Sequence, residues 1–194
     1  MNCTYITSAK KPEQLPAYQL PEIGLVGRSN CGKSSLINAL LKQRQLARAS
    51  RTPGRTQMVN FFDVNKRIIV ADLPGYGWSQ TGRETRKDWE KLIEAYVQRP
   101  NIQYLLFLID ARRKLDSDEA LMLQWLSKNG ELVVVLTKSD KLSKNEQQKA
   151  ISQMSKSLKE IGLTSTLVKA VSSSKKLGVD ELRNYVGIEG NKAK

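Results

Sequence analysis

The chain has 194 residues, enough for one good-sized domain, and its 40% hydrophobic and 26% charged content is that of an ordinary soluble globular protein. It has no histidine and two cysteines, Cys3 and Cys31, without metal-ligand spacing; this excludes Ser-His and Cys-His nucleophiles, histidine zinc sites and a disulfide framework, and both cysteines read as reduced thiols. A net charge of +13 and a pI near 9.8 make RNA, DNA and acidic membranes candidate partners, with nucleic acid favoured over merely solubilising charge.

Residues 1–21 read as an N-terminal extension carrying Pro12, Pro16 and Pro21, with Tyr5-Ile6-Thr7 suited to an edge strand. Met1 to Lys11 holds no apolar signal-peptide core, and no stretch has the length of a membrane helix, so a cytoplasmic protein without membrane association is expected. Ile23-Gly24-Leu25-Val26 reads as a short buried strand. It runs into Gly27-Arg28-Ser29-Asn30-Cys31-Gly32-Lys33-Ser34-Ser35, a G-x-x-x-x-G-K-S loop, followed by a helical pattern with Leu36, Ile37, Leu40 and Leu41 on one face. Strand, loop and helix in that order make a phosphate cradle. Gly27 and Gly32 let successive N–H groups turn inward, and the helix start adds its positive dipole end. Lys33 reaches the β- and γ-phosphates, and the Ser34 hydroxyl suits Mg²⁺.

Lys42 to Gln57 is a basic loop with a turn signal at Thr52-Pro53-Gly54 and no acidic residue, long enough to be functional and mobile. Val59–Val64 and Lys66–Ala71 read as an antiparallel hairpin split by Asn65. The second strand ends in Asp72-Leu73-Pro74-Gly75. Trp89, Leu92, Ile93, Tyr96 and Val97 then mark an amphipathic helix. The alternation repeats: strand Tyr104–Ile109, helix with Leu121, Met122, Trp125 and Leu126, strand Leu132–Leu136. After Thr137-Lys138-Ser139-Asp140 come a helix with Ile151, Met154, Leu158 and Ile161 and a strand over Thr164–Ala170. Val171-Ser172-Ser173-Ser174 leads to a last helix with Val179, Leu182, Tyr185 and Val186. Such alternation means an α/β sandwich on a mainly parallel six-stranded sheet, plus the N-terminal edge strand. Residues 22–187 form the nucleotide-binding domain, and 188–194 a frayed basic tail.

All these motifs follow strands, so right-handed crossovers bring them to one sheet edge. Asp72 suits a water-mediated Mg²⁺ contact, and the Gly75 N–H a γ-phosphate. The Asp140 carboxylate can accept both N1–H and the 2-amino group of guanine, a pair that adenine lacks. The Lys138 stem can lie along the base, Thr137 can tether the loop, and a backbone N–H within Val171 to Ser174 can meet the guanine O6.

Arg28-Ser29-Asn30, Thr52-Pro53-Gly54-Arg55-Thr56-Gln57, Asp72 to Gly77, Thr137 to Asp140 and Ser172 to Gly178 resemble the EngB family, within the Era/TrmE-like GTPases. The resemblance spans about residues 5–186, and the Thr-Pro-Gly-Arg-Thr-Gln string is its most specific part. It implies a P-loop GTPase fold, GTP/GDP and Mg²⁺ as ligands, two switch regions, and a bacterial GTPase acting in assembly of the large (50S) ribosomal subunit, with a link to cell division and septation. The expected partner is the large-subunit precursor, its rRNA and ribosomal proteins. Residues 42–57 become switch I, with Gly54, Arg55 and Thr56 at the nucleotide and Thr56 reaching Mg²⁺ and γ-phosphate; residues 75–85 become switch II. Arg44, Arg48, Arg51, Arg55, Arg83, Arg86 and Lys87 then lie on or near segments that change with the nucleotide.

Tyr76 stands where Ras-type sites carry a water-orienting glutamine, so slow intrinsic hydrolysis is expected, on the order of 10⁻⁴ to 10⁻² s⁻¹. Asn30 either holds K⁺ beside the phosphates or hydrogen-bonds within its loop; both readings stand. Lys33, Thr56 and Asn30 are the candidate catalytic residues, and Ser34, Thr56 and Asp72 the candidate metal ligands. Competing classes are a phosphate-loop ATPase or kinase and a nucleotide-gated binding module in cell division. A monomer is expected, because no heptads appear.

Overall fold

The computed structural model describes residues 1–43, 46–47, 58–76 and 83–189, with the backbone alone for 83–86. The strands are β1 (Cys3–Ala9), β2 (Glu22–Gly27), β3 (Val59–Val64), β4 (Ile68–Asp72), β5 (Ile102–Asp110), β6 (Glu131–Thr137) and β7 (Leu167–Ala170). The helices are α1 (Lys33–Leu40), α2 (Arg83–Val97), α3 (Ser117–Leu126), α4 (Lys144–Glu160) and α5 (Val179–Tyr185). The seven strands lie in the order β1-β3-β4-β2-β5-β6-β7. β4, β2, β5, β6 and β7 run parallel, whereas β3 is antiparallel to both β4 and β1.

Because side chains alternate across a strand, each sheet face receives every second residue. Leu105, Phe107 and Ile109 of β5 join Leu92, Ile93 and Tyr96 of α2, Leu123 and Leu126 of α3, and Met154 and Leu158 of α4. Leu106 and Leu108 join Leu36, Ile37 and Leu40 of α1 and Leu182 of α5 on the other face. The result is a three-layer α/β/α sandwich, with both faces of the parallel strands covered.

Several boundaries differ from the sequence reading. Asn65 and Lys66 have φ of 56° and 55°, and Arg67 donates its N–H to Val64 O at 3.1 Å. Two left-handed central residues make a primed turn, which suits the twist of a hairpin, so Lys66 belongs to the turn and the strand begins at Ile68. The last strand holds Leu167–Ala170 rather than all of 164–170. Leu121 is exposed, because α3 touches the sheet through Leu123 and Leu126. In the segment expected to fray from 188, Ile188 is buried and Glu189 pairs with Lys42; residues 190–194 lie outside the described ones.

Two polar anchors connect distant chain segments. Buried Glu22, at the start of β2, takes Arg99 through both carboxylate oxygens, and Arg99 also donates to Pro16 O at 2.6 Å. Arg183 is buried on α5 and donates to Leu40 O and Ala39 O, each at 2.7 Å, satisfying carbonyls that the end of α1 leaves open. Among the described residues no helix is long and apolar enough to cross a membrane.

Gly178 caps the start of α5 at φ 68°, where an added Cβ would lie 2.4 Å from Ala170 O. A left-handed penalty and a backbone clash therefore coincide. Gly178→Ala is expected to lose about 2–4 kcal/mol of stability, measured as the shift in urea midpoint.

Candidate functional site

The site grows from the C-terminal edge of the parallel strands. β2 delivers Gly27, the loop turns through Asn30 at φ 64° and Gly32 at φ 98°, and α1 opens at Lys33 with Gly32 as its N-cap. Turning the amides inward leaves the loop carbonyls facing out, where each needs a donor. Thr137, at the end of β6, donates its hydroxyl to Cys31 O and, at 3.2 Å, to Ile109 O. Lys138 donates to Asn30 O at 2.7 Å and pairs with Asp110 at 3.2 Å. Its Cε passes 3.9 Å from the position of a Cβ on Gly32, so the aliphatic stem lies across the loop.

The elements expected to read guanine stand next to this. The Ser139 N–H donates to Val171 O at 3.1 Å, joining the two strand ends. Ser172, fully buried, donates to Asp140 Oδ1 at 2.6 Å, and the Lys175 N–H donates to Ser172 Oγ at 3.1 Å. Ser173 is half-buried and Ser174 exposed, with the Ser174 hydroxyl 3.1 Å from that of Ser172. The Ser172 hydrogen bond holds the Asp140 carboxyl below its usual range. Asp110 is held well below its usual range, first by the Arg112 guanidinium.

Lys33 and Asp72 form an ion pair that is nearly buried on both sides. Asp72 thereby meets the side chain of Lys33, the residue that opens α1 and precedes Ser34 in the chain. One carboxylate and one hydroxyl suit Mg²⁺, which takes oxygen donors and completes its octahedron with water and phosphate rather than with a protein cage. No cluster of three or more His, Cys, Asp or Glu residues able to hold a metal occurs among the described residues. Gly75 approaches the loop closely: a Cβ there would lie 3.2 Å from Ser29 N and 3.3 Å from Gly27 O. A cavity of about 320 Å³ opens against the loop, lined by Arg28, Ser29, Asn30, Cys31, Asp110 and Arg113. Burial pushes the Cys31 thiol up to about 11, so it stays neutral and serves as packing.

The structure thus brings together residues 27–35, Asp72 to Gly75, Thr137 to Asp140 and Val171 to Ser174. Gly54, Arg55 and Thr56 lie outside the described residues, as do the side chains of Arg44, Arg48, Arg51, Arg83 and Arg86. Lys87 is exposed on α2. Sequence reasoning missed Asn38, which brackets the Ala47 backbone with two 2.8 Å hydrogen bonds, and the group Arg113, Asp116 and Glu119. Asp116-x-x-Glu119 carries the signature of a capping box and marks a helix start, but nothing in it signals the ion pairs.

A family described as 50S ribosome-binding GTPase matches residues 22–138. The probable GTP-binding protein EngB of Geobacter metallireducens is 42% identical over 180 residues, covering 92% of this chain and 87% of that protein. The crystal structure of a probable GTP-binding protein engB superposes with a TM-score of 0.65 at 22% identity, covering 86% of this chain and 98% of that one. Era in complex with MgGDPNP and a 16S ribosomal RNA segment gives a TM-score of 0.62 at 21% identity, over 90% of this chain and 59% of that one.

Two substitutions probe these contacts. Thr137→Val removes the donor to Cys31 O while keeping shape, and a loss of about 1–3 kcal/mol is expected in thermal denaturation. The depressed Asp140 pKa makes its contribution present above the unfolded value, about 3.9, and lost only as pH falls through the lower folded value. Guanine-nucleotide affinity should therefore not fall on its account between pH 8 and pH 5. Ser172→Ala moves the Asp140 pKa upward, and a titration of affinity against pH should show the acid-side loss starting at higher pH.

Proposed function

The chain belongs to the EngB family of GTP-binding proteins and is a GTPase; from that premise we propose that it is a slow switch acting in assembly of the large ribosomal subunit. The observation that carries the nucleotide assignment is Asp140, an acceptor-only carboxylate oriented by Ser172 and joined through Lys138 to the phosphate loop. A site built to receive two guanine donors leaves those acceptors unpaired with adenine.

GTP and water give GDP and phosphate. Lys33 and the N–H groups of Asn30, Gly32 and Lys33 stabilise the charge that develops on the phosphates. Ser34, Asp72 and Thr56 would hold Mg²⁺, which when bound would supply charge neutralisation. No side chain is assigned as general base, since Tyr76 replaces the usual glutamine. Asn30, exposed at the loop's crest, is the proposed K⁺ ligand, supplying positive charge where an arginine finger would.

The ribosomal role rests on the family's description, the net charge of +13 and the rRNA complex of Era. Basic residues on and beside the two switches would couple nucleotide state to rRNA affinity, through phosphate contacts that release counterions. Such a protein would act in the cytoplasm as a monomer on a large-subunit precursor, with cell division responding to the supply of subunits.

Three measurements test this reading. GTP should displace bound GDP where ATP does not, and Asp140→Ala should weaken GDP by on the order of 10²- to 10⁴-fold. Co-sedimentation with ribosomal precursors should occur with a GTP analogue and not with GDP, and should weaken as salt rises; charge reversal of Arg44, Arg48 and Arg51 that left the salt slope unchanged would refute the electrostatic coupling. Hydrolysis should be faster in K⁺ than in Na⁺, and equal rates would remove Asn30 from the mechanism.

A further inference from the structure

Tyr76 follows Gly75 immediately, and its side chain is tied to the body of the domain. The ring stacks on Phe107 of β5 with centroids 5.6 Å apart and an interplanar angle of 27°. The hydroxyl donates to Glu119 Oε1 at 3.2 Å. Glu119 is fully buried on α3, and the same oxygen accepts from Arg113 at 2.8 Å. Arg113 also reaches Asp116 at 3.0 Å, and Asp116 pairs with Arg28 of the phosphate loop at 2.7 Å.

A closed circuit results. It leaves the loop at Arg28, passes through Asp116, Arg113 and Glu119, and returns through Tyr76. The backbone completes it: Ser29 N–H donates to Tyr76 O and Tyr76 N–H to Gly27 O, both at 3.4 Å. Bonds of that length are weak, so they do not by themselves hold the segment in place. The stacked ring and the hydroxyl bond to a buried carboxylate supply the restraint. On the other side, the Trp89 indole N–H donates to Pro74 O at 3.2 Å, so Gly75 is held from both flanks.

We propose that Tyr76 is a positioning residue for γ-phosphate recognition: held by Glu119 and Phe107, it fixes the Gly75 peptide against the phosphate loop, so that α3 sets the site's preference for GTP over GDP. This rests on the GTPase reading above. The Gly75 N–H serves only an atom that GDP lacks. If the peptide is loosened, the cost of ordering it falls on the GTP complex alone. A purely structural role for Tyr76 would instead change the affinities for both nucleotides together, or the melting temperature alone.

Tyr76→Phe removes one oxygen and keeps the stacked ring, so the fold is retained and the hydroxyl is tested alone. Titration calorimetry would compare the full chain and the variant with GDP and with a non-hydrolysable GTP analogue. The expected result is analogue binding weakened about three- to ten-fold, the net size of one ordinary hydrogen bond, which the 3.2 Å length fits, with GDP unchanged within two-fold. Glu119→Gln keeps an acceptor but not the charge, and should shift the ratio in the same direction by less. Equal losses for both nucleotides, an unchanged ratio in both variants, or tighter analogue binding would each overturn the proposal. GDP binding by the unaltered chain, measured in the same titrations, tests the GTPase reading separately.

Discussion

A loop that points its amides inward must turn its carbonyls outward, and those carbonyls must find donors. The arrangement of the site follows from this constraint. Cys31 O is taken by Thr137, Asn30 O by Lys138, Arg28 O by the Cys31 N–H and Gly32 O by the first turn of α1. Two of those donors, Thr137 and Lys138, open the motif proposed to read the base. The motif proposed to read the base therefore also holds the loop proposed to bind the phosphates. Parting them would leave the buried Thr137–Cys31 hydrogen bond unmade.

Charge is organised in two different ways. Around the phosphate loop, ion pairs are sheltered and specific: Lys33 with Asp72, Arg113 with Glu119, Lys138 with Asp110. In each, one or both partners are largely withdrawn from water, so removing one leaves a costly orphan. The surface is different. There Lys87, Lys128, Lys159 and Lys176 are exposed, where salt screens their charge.

The anchors stand at the roots of the segments that the family resemblance makes switches. Asn38 holds Ala47 beyond the end of α1, Arg183 caps α1 itself, and Tyr76 ties the end of Asp72 to Gly75 onto β5 and α3. Each anchor rests on an element packed into one of the two cores. Changes at the phosphates can reach these helices through such contacts, because a packed interior transmits displacement rather than absorbing it.

Sequence alone determined what depends on local pattern. The alternation of apolar runs and amphipathic helices set the α/β class, because period 2 and period 3.6 are intrinsic to the backbone. The phosphate loop, Asp72 to Gly75 and Thr137 to Asp140 were legible because their chemistry demands fixed residue types at fixed spacing next to strands. Boundaries such as Lys66 were less legible, since a primed turn at Asn65-Lys66 lacks the glycine that usually announces it. What only the tertiary structure decided are the long-range partners: Ser172 on Asp140, Thr137 on Cys31, and the circuit from Arg28 through Asp116 to Tyr76. These pairs are 32, 106 and 88 residues apart where one step spans the distance, and no local rule selects one arginine or carboxylate among many. Crossover connections bring the strand ends to one edge, and only there do charge, distance and burial choose the partners.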